Sequence, residues 1–254
     1  MKKLLLTFLL SGLLLPSATR GGIERGEVAS IFQEANIHYE NGDYSRATTE
    51  YLRILEGGWE SAPLYYNLGN AYFKQNRLGP AILQYRRALN LAPRDPEINK
   101  NLEYARGALK DDITALPVSA WNRAGKTVAG WLSRGEWIGI SAALYGLALL
   151  WLLGTVIFRP LRKISPGVLK TILPTLFLSV ALTLLAWSYY RTPRAIILEP
   201  EVAVRYGPQE TDAAAFNLHE GTEVRVIRHQ NGWRQVALPD GTSGWLPAES
   251  LGMI

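Results

Sequence analysis

Between residues 26 and 110, apolar residues recur every three or four positions in runs of about a dozen, each run closed by Gly, Asn, Asp or Pro. That is the pattern of short amphipathic helices packed in pairs. From Glu201 onward the period falls to two. Val202 and Val204 alternate with other residues, "VRVIRHQNGWRQVAL" has Asn231 and Gly232 placed to turn a hairpin, and "DGTSGWL" has Asp240 and Gly241 placed to turn another. Short strands with glycine turns predict a small all-β barrel over residues 195–254. Between the two patterned regions lie two long uncharged runs, "WIGISAALYGLALLWLLGTVIF" at 137–158 and "TILPTLFLSVALTLLAWSYY" at 171–190. At 1.5 Å per residue the first covers about 33 Å, the thickness of a bilayer's hydrocarbon, so the two runs read as transmembrane helices forming a hairpin.

The remaining segments fix an expected orientation. Residues 1–20 place Lys2 and Lys3 before about 12 mostly apolar positions and then Ser17 and Ala18, a run too short to span that reads as a signal peptide. Cutting after Ala18 leaves Pro16 at the third position back, so an uncleaved anchor stands as the alternative. Residues 159–170 carry Arg159, Arg162, Lys163 and Lys170 with no acid, as a cytoplasmic loop would. A signal peptide plus two spans then puts the flanking domains outside a bacterial inner (cytoplasmic) membrane, in the periplasm. Within 117–135, Trp121, Val128, Trp131 and Leu132 share one helical face, with Arg123, Lys126 and Arg134 opposite. Two readings stand there: an interfacial helix touching membrane lipid, or a linker whose tryptophans mark the membrane edge. Neither apolar run holds an ionisable residue, which argues against a transporter.

Charge and chemistry remove several classes. The chain is +5 overall, but residues 21–116 carry 11 Lys/Arg against 13 Asp/Glu and residues 195–254 carry 4 against 8. The excess sits in the apolar middle and the start, so no basic face points to nucleic acid. There is no cysteine, hence no disulfide, thiolate metal site or thiol nucleophile. His38, His219 and His229 fall in separate modules without metal spacing, and the acidic pairs Asp111 with Asp112 and Glu199 with Glu201 read as solvated linkers. No serine sits in a nucleophile elbow. No cofactor, metal or catalytic residue is expected, and the chain reads as a non-enzyme.

Residues 62–95, "APLYYNLGNAYFKQNRLGPAILQYRRALNLAPRD", fit the 34-residue tetratricopeptide pattern at Tyr65, Leu68, Gly69, Tyr72, Ala81, Tyr85, Ala88 and Pro93. Residues 28–61 form a degenerate first repeat matching at Ala35, Ala47 and Tyr51, and residues 96–110 read as a capping helix, giving a repeat domain over 26–110. Gly69 is expected where paired helices approach closest, and Gly79 with Pro80 at the turn between them. A phosphate loop is excluded, because the glycines lie ten apart in a helical pattern with no preceding strand. By the repeat's periodicity the concave face displays Phe32, Asn36, Tyr39, Tyr66, Asn67, Asn70, Phe73, Lys74, Lys100 and Asn101. Amides flanked by aromatics suit the backbone of an extended peptide; a polar surface packing on another domain is the other reading. In tetratricopeptide families that grip a terminal carboxylate such asparagines work with lysines, which Lys100 matches in part, while Phe32 occupies the basic position of the first repeat.

The segments "VRYGP" at 204–208, "NGWRQV" at 231–236 and "DGTSGWL" at 240–246 resemble bacterial Src-homology-3-type domains. Such domains mostly bind cell-wall peptides or partner proteins. Tyr206, Trp233 and Trp245 are the candidate groove residues, although both tryptophans also suit a barrel core. The order of segments over nearly the whole chain resembles the BatE-type proteins of the Bacteroides aerotolerance group. The resemblance implies a membrane-anchored adaptor working with von Willebrand factor A-domain membrane proteins and a MoxR-type ATPase. A peptidoglycan-binding module that recruits a wall enzyme is the alternative. The expected fold class is therefore a multidomain membrane protein: tetratricopeptide helical hairpins, two transmembrane helices and a small all-β Src-homology-3-like barrel.

Overall fold

The computed structural model describes residues 23–111, 113, 116–117, 119–157, 170, 172–184, 187 and 193–254. The expected signal peptide and nearly all of the basic loop lie outside them. Two compact units result: the helical repeats together with residues 193–254, and residues 118–192.

Five helices build the repeats: α1 (Arg25–Glu40), α2 (Tyr44–Glu56), α3 (Ala62–Lys74), α4 (Leu78–Leu91) and α5 (Pro96–Arg106). Their starts are written in the sequence. The Asp43 side chain accepts from the Arg46 N–H at 3.1 Å, Ser61 from Leu64 at 3.3 Å, and Asp95 from Glu97 and Ile98 at 2.9 and 3.2 Å, each satisfying a helix-start donor. The turns within the two hairpins use Gly42 (φ 79°) and Asn76 (φ 58°), both left-handed and 34 residues apart. Gly79 is therefore not the turn residue; it lies in the first turn of α4. Gly69 is small for the expected reason, since a β-carbon there would stand 2.7 Å from the Tyr85 ring. Gly69→Leu should overpack the α3–α4 pair and cost about 1 to 3 kcal/mol, read as a lower thermal midpoint.

Residues 193–254 form a seven-stranded antiparallel sheet in the order β3-β2-β6-β5-β4-β1-β7. The strands are β1 (Arg194–Ile197), β2 (Glu201–Arg205), β3 (Ala214–His219), β4 (Glu223–Gln230), β5 (Trp233–Ala237), β6 (Ser243–Pro247) and β7 (Leu251–Met253). Asn231 and Gly232, both at positive φ, turn β4 into β5 as their sequence requires. Val202, Val204, Val224, Val236 and Leu246 fill the interior. The first strand does more: Ala195 and Ile197 join that interior, whereas Ile196 joins the core of the repeats, where Leu198 and Ile254 also pack. The barrel and the repeats thus share a hydrophobic layer through β1 and α4.

In residues 118–192, α6 (Ala120–Ala129) precedes α7 (Arg134–Ile157). A reciprocal cap starts α7: the Ser133 N–H donates to Glu136 at 2.7 Å and the Glu136 N–H to Ser133 Oγ at 3.3 Å. Trp137 folds back and its Nε1–H donates to the Ala129 carbonyl at 3.1 Å. A second helical stretch, 172–184, meets α7 through Ser141 and Thr183, 2.7 Å apart.

Among the described residues, no helix is long and apolar enough to cross a membrane. The two transmembrane helices expected at 137–158 and 171–190 are therefore corrected, and with them the inner-membrane, two-span placement that put both domains in the periplasm. An uncharged run of sufficient length was the sequence criterion, and it does not by itself establish a helix that crosses a membrane. Residues 158, 171, 185–186 and 188–190 of the two expected spans lie outside the described residues.

Candidate functional site

The residues expected on the concave face come from α1, α3 and α5, and a network with the 34-residue period organises them. Asn36 Oδ1 accepts from the Tyr51 hydroxyl at 2.6 Å and from Asn67 Nδ2 at 3.0 Å. One repeat later, Asn70 Oδ1 accepts from the Tyr85 hydroxyl at 2.7 Å and from Asn101 Nδ2 at 2.9 Å. Asn101 Nδ2 also donates to the Tyr66 hydroxyl at 3.0 Å. Each rung is an Asn–Tyr–Asn triplet, and 34 residues separate every member from its counterpart. Burial raises the hydroxyl pKa of both Tyr51 and Tyr85 well above the usual phenol value, so both stay protonated donors and hold the asparagine amides in one orientation.

The rungs leave polar groups over. Among the described residues, Oδ1 of Asn67 and of Asn101 accepts from nothing and Nδ2 of Asn36 donates to nothing, whereas the Asn70 amide is hydrogen-bonded to Tyr66. A half-buried acceptor repeated at both rungs, with one free donor at Asn36, is the arrangement that backbone N–H and C=O groups of an extended chain can meet. Around them the aromatics are paired, edge to face for Tyr39 with Tyr44 at 5.2 Å and Phe73 with Tyr104 at 5.6 Å, and tilted for Phe32 with Tyr51 at 5.8 Å and Tyr66 with Tyr85 at 6.1 Å. Lys74 and Lys100 are exposed and make no hydrogen bond or ion pair among the described residues. Phe32, at the position where tetratricopeptide families that grip a carboxylate are expected to carry a cation, is held against Tyr51.

On the barrel, Trp233 and Trp245 are half-buried and lie outside the interior cluster, while Tyr206 is 75% exposed. The sheet register sets Trp245 opposite both Gln235 and Arg205, and Trp233 opposite Pro247. With strand alternation, both tryptophans share the outward face of β5 and β6. The structure thus places them on a surface rather than in the core.

A third cluster joins the modules. The Glu223 carboxylate receives Arg86 through Nε at 2.9 Å and through Nη2, Arg106 at 2.7 Å and Arg194 at 3.5 Å. Burial works to raise its pKa, but the arginines, Arg86 foremost, outweigh burial and hold the carboxyl below its ordinary range. Asp111, expected to be a solvated linker residue, instead accepts from the His219 N–H at 2.8 Å and the Thr222 hydroxyl at 2.7 Å, and pairs with the His219 ring at 2.6 Å. The Gly79 N–H donates to Glu220 at 3.0 Å, and Arg87 binds the Met253 carbonyl at 2.9 Å. Apart from Arg194 with Glu223, these pairs lie more than 100 residues apart in sequence and carry no periodicity. The one sequence signal was "AIIL" at 195–198, a run rather than an alternation, as expected of a strand covered on both faces.

Residues 62–95 match the family model for the tetratricopeptide repeat, and residues 199–252 match that for the bacterial SH3 domain. The domain content implied by the sequence resemblance is therefore present. Domains of these two kinds point to protein–protein or peptidoglycan binding.

Proposed function

We propose that this chain is a non-enzymatic adaptor whose repeat face takes an extended segment of a partner protein while the attached barrel fixes the geometry of the assembly. One observation carries the reading: the repeated asparagine rung presents an amide acceptor without a partner among the described residues at each of two equivalent positions, Asn67 and Asn101, with such a donor at Asn36. The pairing of a tetratricopeptide repeat with a bacterial SH3 domain is the part of the resemblance that supports placing it in an aerotolerance-type envelope stress complex, with von Willebrand factor A-domain proteins as direct partners and a MoxR-type ATPase engaged through them. Such a role needs pre-organised contacts and no bond chemistry.

Asn36→Asp with Asn70→Asp is the informative substitution. A carboxylate still accepts from the tyrosine and the neighbouring asparagine, so the rungs survive, but the donor toward the partner is gone. In titrations of the full chain with a purified A-domain partner, the double variant should bind roughly tenfold more weakly or worse, with its thermal midpoint little changed. Equal affinity would remove the concave face from the account.

The outward tryptophans and the bacterial SH3 match support a second reading, a peptidoglycan-binding module that recruits a wall enzyme. Sedimentation of the full chain with purified sacculi, lost on Trp245→Ala, would favour it over the adaptor.

A further inference from the structure

A crevice of about 430 Å³ opens where the repeats meet the end of the barrel, away from the asparagine rungs. Its size falls within the range of small-ligand sites, and a junction between modules is where such sites concentrate. One wall is aliphatic: Leu55, Ile254 and Leu91, the last 45% exposed. The polar wall is Arg87 and Asn90.

These two side chains distinguish the crevice from an ordinary seam. Arg86, one residue earlier, is spent on Glu223. Arg87 has no carboxylate partner among the described residues. Its Nε and Nη2 both donate to the Met253 carbonyl, at 3.2 and 2.9 Å, and its guanidinium lies 5.8 Å from the centre of the Tyr65 ring. The guanidinium is thereby held in one plane with Nη1 uncommitted. The Asn90 amide likewise makes no hydrogen bond among the described residues. A pinned cation with a free edge, an amide beside it and an aliphatic wall opposite form a complementary surface for a carboxylate attached to an aliphatic group. Glu60 also lines the crevice, where it accepts from the Tyr65 hydroxyl.

We propose that this crevice binds the end of a short aliphatic peptide, its carboxylate on Arg87 Nη1 and the Asn90 amide and its side chain against Leu55, Leu91 and Ile254. The site is separate from the concave face, so it would let the adaptor hold a chain end and an extended segment at once.

Calorimetric titration of the full chain with N-acetyl-alanyl-leucine and with its C-terminal amide tests this. The acid should bind, and the amide at least about tenfold more weakly. Arg87→Gln should weaken the acid by a similar factor. Because Arg87 also supports the Met253 carbonyl, Leu91→Trp is the companion variant: it fills the crevice from an exposed position, leaves that bond intact and should abolish binding. Equal affinity for acid and amide, acid binding unchanged in either variant, or no binding of either peptide would overturn the proposal.

Discussion

Glu223→Ala will cost about 3 kcal/mol of stability, the lower end of what breaking a buried ion pair costs, because Arg106 keeps access to water. The carboxylate is about four-fifths covered and faces three guanidinium groups from three elements: Arg86 on α4, Arg106 at the end of α5 and Arg194 on β1. Removing it leaves three cations crowded together, and the burial and mutual repulsion that already lower the pKa of Arg106 go uncompensated. Since the cluster joins repeats to barrel, the loss should appear first as faster amide exchange along β1 and α4. The dependence on pH follows from the lowered carboxyl pKa of Glu223. A carboxylate whose folded pKa is depressed stabilises the fold above its unfolded value, about 4.3, and the contribution fades as pH falls through the lower folded value. The parent protein should therefore lose its repeat–barrel docking on acidification below about pH 4. In Glu223→Gln this part of the pH dependence should be missing.

Gly79→Val should separate the same two modules by a steric route. A β-carbon at residue 79 would stand 2.6 Å from the Ile197 carbonyl oxygen and 3.2 Å from the Gly221 nitrogen, both backbone atoms. Backbone cannot swing aside as a side chain can, so either α4 or β1 must move. The shift would also lengthen the hydrogen bond from the Gly79 N–H to Glu220. A cost of about 2 kcal/mol or more is expected at the interface. The repeats have their own interior around Leu68, Ala81 and Tyr85, so their helical signal should persist while protease sensitivity of residues 193–198 rises. An unchanged protease pattern would show that the seam tolerates opening.

These two residues mark where the sequence was legible and where it was not. The 34-residue spacing located both helical hairpins, and alternation with the Asn231–Gly232 turn located the hairpin of β4 and β5, because each pattern is local. The spacing also held the Asn–Tyr–Asn rungs, since Tyr51 and Tyr85 repeat with the same period as Asn36 and Asn70. Their bonding was not readable, because a tyrosine that fills space and one that orients an amide look identical in a repeat consensus. Gly79 was assigned to a turn that Asn76 makes, since conformational need and close approach both select glycine. Asp111 looked solvated because its partners, His219 and Thr222, lie on the other module. In the apolar middle, an uncharged run was equated with a membrane span, and an uncharged run alone does not establish one.

A photoreactive residue at Lys74, exposed beside Phe73 and Asn70 at the end of α3, tests the adaptor account most directly. Irradiation of living cells should give one discrete protein adduct from this position, and the adduct should fall sharply when Asn36 and Asn70 are both aspartate. A protein adduct of equal yield in the aspartate variant, or none in either, would contradict binding through the asparagine rungs.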